Sequence, residues 1–199
     1  MREKYHIVTF YKFVRFSDYV LYHSKILNFC TEKDIKGTIL LASEGLNGTI
    51  AGKKANIQQF LQFLKSEDRR FYDIKHKESF SNEIPFNRMK VKLKKEIVTL
   101  GQPNIYPSEK SGVHVAAKNW NTLIKEPDVL LIDTRNEYEH QIGTFEGAIS
   151  AQTTNFREFS DFVKQKLDPN KNKKVAIFCT GGIRCEKASA YMLNQGFEN

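Results

Sequence analysis

The 199-residue chain has few cysteines and no long hydrophobic runs, and both absences narrow what it can be. Three cysteines cannot form a disulfide framework, so we expect free thiols in a cytoplasmic protein. No apolar run approaches the roughly 18–20 residues that a membrane span needs. The first ten residues alternate polar and apolar side chains and contain no signal-peptide core. We therefore expect no association with a membrane.

Positive charge is abundant and unevenly distributed. Residues 1–112 hold 20 lysines and arginines against 12 aspartates and glutamates, whereas residues 113–199 hold 11 of each class. The whole net charge of +8 therefore comes from the first part of the chain. A basic module joined to a neutral one suggests that the first gathers an anionic partner and the second has another task.

The first hundred residues predict a small α+β domain. Alternating and periodic apolar residues indicate a strand, a helix, a hairpin and a second helix in that order, followed by extended segments near 71–75 and 89–100. The order βαββαβ is that of a ferredoxin-like sandwich. We assign residues 1–100 to this basic, RNA-binding domain.

The remainder of the chain predicts a parallel α/β domain. Residues 101–114 are rich in proline, glycine and serine, which is typical of a linker. From residue 115 to 199 helices alternate with two buried apolar strands, Val129–Asp133 and Val175–Phe178. The last predicted helix, from about Glu186 to Asn194, has no strand after it, so we expect this second domain to be incomplete.

Cys179 is the strongest candidate for chemistry. It follows a buried strand directly, and reactive groups in open α/β sheets lie at the carboxyl ends of strands. Gly181 and Gly182 allow backbone N–H groups to turn inward, and a helix begins behind them. Together with the charge of Arg184, these features favour a thiolate. The alternative is an inert cysteine at a strand end.

The loop from Cys179 to Arg184 is short. Four residues intervene, whereas a cysteine phosphatase needs five to encircle a phosphate; they are Thr180, Gly181, Gly182 and Ile183. The smaller ring suits a sulfur atom carried on the cysteine.

Several motifs resemble a known family. The segments DTR at 133–135, EYE at 137–139 and GTFEGA at 143–148 resemble the first signature of rhodanese domains, and CTGGIR at 179–184 resembles their active loop. The longer loop CTGGIRCEK, preceded by a basic domain with SEGLNGT at 43–49, is similar to the TrhO (YceA-type) group. Members are oxygen-dependent tRNA uridine hydroxylases that convert the wobble uridine to 5-hydroxyuridine.

The resemblance implies a role for each matched residue. Cys179 is the catalytic cysteine, and the loop N–H groups with Arg184 stabilise its charged sulfur. Asp133 and Arg135 buttress the loop, or alternatively form a helix cap and a surface ion pair. Cys185 either resolves an oxidised Cys179 or packs beneath the loop, and we expect packing. The implied substrates are tRNA and molecular oxygen.

The residues themselves indicate no metal or cofactor. The five histidines show no paired ligand spacing, and no glycine-rich nucleotide loop precedes a helix. Cys30 falls on the apolar stripe of the first predicted helix, which indicates a core residue. We expect no metal ion and no bound cofactor.

A strictly alternating basic segment lies near the end of the first domain. In a strand, Arg88, Lys90, Lys92 and Lys94 share one face, and same-face neighbours lie about 6.6–6.8 Å apart. That spacing is close to the separation of successive phosphates, so we predict an RNA-binding face there. The alternatives are a solvated face or a charged edge strand that resists aggregation.

Two other functions remain open from the sequence. One is a sulfurtransferase that carries sulfane sulfur as a Cys179 persulfide. The other is an RNA-binding module with a relict rhodanese domain, which the intact Cys179 and Arg184 argue against.

Overall fold

The computed structural model describes residues 4–172 and 174–198, and the chain divides into two compact units, residues 1–97 and 98–199. Each unit has its own hydrophobic core. The fold class expected for each part of the chain is confirmed. An α+β unit comes first, and a parallel α/β unit follows it. The predicted limits of 1–100, 101–114 and 115–199 stay predictions.

Over its described residues, 4–97, the first unit has five strands and two α-helices. In chain order these are β1 (Tyr5–Phe13), α1 (Tyr19–Glu32), β2 (Lys36–Ala42), β3 (Gly45–Gly52), α2 (Lys54–Glu67), β4 (His76–Ser81) and β5 (Met89–Leu93). The sheet order is β4-β1-β3-β2-β5, with every pair antiparallel except β2 and β5. The first four strands have the ferredoxin-like arrangement, and β5 extends it at one edge.

Two of the expected extended segments differ in the structure. The segment 71–75 is not a strand: Arg69–Phe71 form a 3₁₀ turn, and the strand begins at His76. Asp68 caps this turn by accepting a hydrogen bond from the Arg70 amide at 2.8 Å, which holds Phe71 in the core. The second segment is a strand only as far as Leu93.

Helix α2 shows how the apolar spacing sets the packing of this unit. Ile57, Phe60, Leu61 and Leu64 lie one turn apart and are all buried, so they form the stripe that faces the sheet. Helix α1 packs mainly against β2 and β5, and α2 packs against β1, β3 and the 3₁₀ turn. Both helices therefore cover the same side of the sheet.

The second unit has a three-stranded parallel sheet in the order β7-β6-β8. Its elements are α3 (Ala117–Leu123), β6 (Val129–Asp133), α4 (Glu137–Ile142), β7 (Ile149–Ser150), α5 (Phe159–Lys166), β8 (Lys174–Phe178) and α6 (Ile183–Asn194). The segment predicted as a linker has no helix or strand. Its Ile105 is nevertheless buried in the second core beside Leu100, so the segment packs as part of this unit.

Candidate active site

Cys179 lies between the end of β8 and the start of α6. The helix begins at Ile183, three residues earlier than the sequence predicts, so the loop is shorter than expected. Gly182 takes the N-cap position with φ +96°, a left-handed conformation that side chains with a Cβ rarely adopt. This glycine lets the chain turn sharply enough to direct the first N–H groups of α6 back at the Cys179 sulfur.

Several hydrogen-bond donors surround the sulfur of Cys179. The Gly182 amide donates to it at 3.0 Å, and the Cys185 amide and thiol donate as well. The Cys185 thiol is the largest cause that lowers the pKa of Cys179. The two amides and the charge of Arg184 lower it further, and burial opposes them. The net shift is downward, so Cys179 is held as a thiolate near neutral pH.

Cys185 lies beside Cys179, and both are free thiols. Because Cys185 donates its proton in a hydrogen bond to the neighbouring thiolate and is partly buried, the pKa of Cys185 is raised. Its sulfur is also 3.7 Å from the hydroxyl of Thr134, which donates to the Phe178 carbonyl at 2.9 Å. Cys185 thus packs beneath the loop and also hydrogen-bonds to the sulfur above it.

Arg184 is held in place by Glu139, a residue that the sequence analysis did not select. The guanidinium donates to both carboxylate oxygens, at 2.6 and 2.8 Å, and to the Thr180 hydroxyl at 3.1 Å. Thr180 donates to the same carboxylate at 2.7 Å. The guanidinium lowers the pKa of Glu139 from 4.5 to about 2. One carboxylate therefore ties two residues of the loop to helix α4.

A local signal for Glu139 does exist in the sequence. It stands three residues after Asn136 and accepts a hydrogen bond from the Asn136 amide at 3.2 Å, which is the geometry of a capping box at the start of α4. It also belongs to the EYE segment within the rhodanese-like signature. The capping role is visible locally, but the contact with Arg184 arises only from tertiary structure.

Asp133 and Arg135 form a network of their own. Asp133 is fully buried and accepts hydrogen bonds from Arg135, His140 and Thr144 at 2.7–3.2 Å. Arg135 also donates to the Gly143 carbonyl at 2.6 Å. This network joins the end of β6 to α4 and the loop after it. The direct hydrogen bond from the β6 end to β8 comes from Thr134, which the sequence analysis did not assign to the site.

The other thiol and the basic strand lie elsewhere. Cys30 is buried in the first core, as expected, and burial raises the pKa of its thiol to about 12. Arg88, Lys90, Lys92 and Lys94 are all exposed, and Val91 between them is buried. The predicted alternation along β5 is therefore present up to Lys92, whereas Leu93 is 43% exposed. The role of the basic residues in RNA binding stays a prediction.

Within 4–172 and 174–198, no three histidine, cysteine or acidic side chains are grouped as they would need to be to hold a metal ion. Over the same residues, no helix combines the length and apolar character that crossing a membrane requires.

Comparison with known proteins assigns both units. Residues 5–97 match the UPF0176 acylphosphatase-like domain, and residues 116–199 match the rhodanese-like domain. The chain is 55% identical over 192 residues to a protein of Picosynechococcus sp. named tRNA uridine(34) hydroxylase. That match covers 96% of this chain and 64% of the relative, so the chain spans a little under two thirds of its relative's length.

A solved structure is also similar, but only distantly. It is full-length HypF in its phosphate- and nucleotide-bound form, with 16% identity, 62% of this chain and 15% of that chain covered, and a TM-score of 0.34. A likeness at this level carries no argument about the fold or the site.

Proposed function

We propose that this chain, whose two units match a UPF0176 acylphosphatase-like domain and a rhodanese-like domain, is a tRNA-modifying enzyme. Its reaction is the oxygen-dependent 5-hydroxylation of the wobble uridine, with Cys179 as the reacting sulfur. The name of the relative from Picosynechococcus sp. supports this substrate and this reaction.

The stabilised thiolate is the observation on which the proposal chiefly rests. Donors from Gly182 and Cys185 surround the Cys179 sulfur and favour its charged form. A thiolate is the nucleophilic form of cysteine, and C6 of a uracil ring is electrophilic. Arg184, held by Glu139, adds a fixed positive charge to a site where negative charge develops.

The first unit supplies the affinity for RNA in this proposal. Residues 1–112 carry the whole net charge, and Arg88, Lys90, Lys92 and Lys94 are exposed on or beside β5. Lysines and arginines that contact phosphates give tight binding with little base specificity. The second unit then acts on the uridine. The proposed compartment is the cytoplasm, where tRNA and molecular oxygen are both present.

Molecular oxygen is the proposed co-substrate. One of its oxygen atoms becomes the new hydroxyl group at C5, and the other leaves as water with two electrons and two protons from a thiol reductant in solution. We propose no bound cofactor or metal ion for this chain. The test is to incubate unmodified tRNA with the protein and an added thiol reductant under ¹⁸O₂, and to identify the wobble nucleoside by mass spectrometry. We expect 5-hydroxyuridine containing ¹⁸O from the wild type and unmodified uridine from Cys179→Ser. Label-free product, or product from the serine variant, would contradict the proposal.

A sulfurtransferase is the second candidate, and the dimensions of the loop favour it. Four residues between Cys179 and Arg184 form a ring that suits a persulfide sulfur, whose negative charge the same N–H groups would stabilise. Incubation with thiosulfate followed by cyanide distinguishes the two functions. Thiocyanate formation at a rate above that of tRNA hydroxylation would favour sulfur transfer.

A further inference from the structure

The sheet of the first unit has one face that neither helix covers. Side chains alternate across a strand, so the buried residues Val8, Ile39, Ile50 and Val91 identify the side on which α1 and α2 pack. In each strand, the residues directly before and after these four point to the opposite side of the sheet. We call that side the open sheet face.

A straight row of five side chains crosses the open sheet face. Strand pairing places Thr9 opposite both Lys77 and Thr49, and Thr38 opposite both Thr49 and Lys90. Thr9, Lys77 and Lys90 are exposed, and the two central threonines are half-buried. The Thr9 and Thr49 hydroxyls lie 3.0 Å apart. The row therefore consists of three hydroxyl groups between two lysines.

The length of this row is set by the sheet itself. Five adjacent strands span four gaps of about 4.8 Å, so the backbones at Lys77 and Lys90 lie roughly 19 Å apart. Three successive nucleotides of an extended strand cover a similar distance. Long lysine side chains at both ends and short threonines between them allow a chain of that length to lie flat on the sheet.

The charge on the open sheet face has one sign. Among the strand residues of β1 to β5 that point to this side there is no carboxylate, and Glu78 on β4 points to the other side. The lysines that share the face are Lys36, Lys77, Lys90 and Lys92. Lysines can also protect an edge strand from aggregation, but that role does not require a row of hydroxyl groups across the sheet between them.

We propose that a single-stranded RNA segment crosses the open sheet face at right angles to the strands. Its phosphates contact Lys90 and Lys77 at the two edges, and its riboses hydrogen-bond with the threonine row, whose hydroxyls can both donate and accept. Contacts to phosphates and riboses carry no sequence information, so binding tolerates different sequences. This inference rests on the proposed function, because it states how the tRNA substrate is held.

The test compares variants of the full chain on an anticodon stem–loop RNA. Binding is followed by fluorescence anisotropy between roughly 50 and 200 mM KCl, and log Kd is plotted against log salt. The row variant is Lys77→Gln with Lys90→Gln. The matched control is Lys54→Gln with Lys65→Gln, which removes the same charge from the exposed side of α2. Circular dichroism confirms that both variants fold.

We expect the row variant to lose about 1.4 from the slope, since each single-strand phosphate contact contributes about 0.7. The control should keep the wild-type slope. The double variant Thr9→Val with Thr49→Val removes both members of one hydrogen bond together. It should weaken binding at every salt concentration and leave the slope unchanged.

Failure of this inference differs from failure of the proposed function. If the wild type binds the RNA but the row variant keeps its slope, or the control loses as much, the crossing path is wrong. A slope loss confined to Arg88→Gln with Lys94→Gln would instead place the RNA along β5. Equal competition by a duplex of the same length would exclude the single-stranded partner. A wild type that binds no tRNA would instead count against the proposed function itself.

Discussion

Replacing Glu139 with glutamine removes a carboxylate charge that holds the loop 179–184 to α4. The glutamine oxygen can still accept a hydrogen bond from Thr180. Its NH₂ group, however, is a donor and cannot accept the second hydrogen bond from the Arg184 guanidinium. The guanidinium then lies in a largely buried position without its carboxylate, since both side chains are only 15% exposed. We expect a clear loss of stability in the second unit.

The magnitude follows from the pKa of Glu139. The shift from 4.5 to about 2 corresponds to about 3 kcal/mol of stabilisation at neutral pH, at about 1.4 kcal/mol per unit. Breaking a buried ion pair by removing one partner costs about 3–5 kcal/mol, which agrees with this value. Because the folded pKa is depressed, the stabilisation is complete above about pH 4.5. It is lost as the pH falls through 2, and less than half remains at pH 3.

Urea unfolding followed by tryptophan fluorescence measures this effect in the relevant unit. The chain has one tryptophan, Trp120 on α3, so the signal reports on the second unit alone. The control is Glu146→Gln, which makes the same change in charge at an exposed position. Wild type and Glu139→Gln should differ by about 3 kcal/mol in free energy of unfolding at pH 7, and by less than half of that at pH 3.

Three results would refute this reasoning. A loss below about 1 kcal/mol at pH 7 would show that the ion pair with Arg184 contributes no more than an exposed pair does. An equal loss in Glu146→Gln would assign the effect to net charge. A difference that stays constant between pH 7 and pH 3 would show that titration of Glu139 is not its source.

The remaining predictions concern the two thiols and the buried aspartate. The rate of Cys179 alkylation by iodoacetamide should show a pH midpoint below the roughly 8.5 of a free cysteine. Cys179→Ser should fold but show no turnover, and full activity in that variant would show that Cys179 is not the catalytic cysteine. Cys185→Ala should raise this midpoint, because it removes a hydrogen-bond donor, yet keep measurable turnover under reducing conditions. Cys185→Ser restores a donor and should keep the midpoint low. An unchanged midpoint in the alanine variant would show that Cys185 is not a donor to Cys179. Asp133→Asn should lower the free energy of unfolding of the second unit by about 3–5 kcal/mol, measured by urea unfolding, because Arg135 loses its buried partner; a change under 1 kcal/mol would count against this network.

Local features of the sequence were enough to locate the main candidate for chemistry. Cys179, Gly182 and Arg184 lie within six consecutive residues, so strand end, turn and helix start could be inferred from residue types alone. The apolar stripe of α2 and the alternation along β5 are likewise short-range patterns, because a helix or strand repeats its faces every few residues. The family resemblance was carried by the same contiguous motifs.

Contacts between distant parts of the chain were decided only by the tertiary structure. Glu139 meets Arg184 across 45 residues because α4 follows β6 and α6 follows β8, and parallel pairing of these strands brings both loops to one edge of the sheet. The threonine row exists because β1, β2 and β3 pair in one register, which no single strand specifies. Cys185 hydrogen-bonds to Cys179 because α6 begins at Ile183 and turns its first side chains back toward the loop. Residue identity therefore set which chemistry was available, and strand pairing set which groups act together.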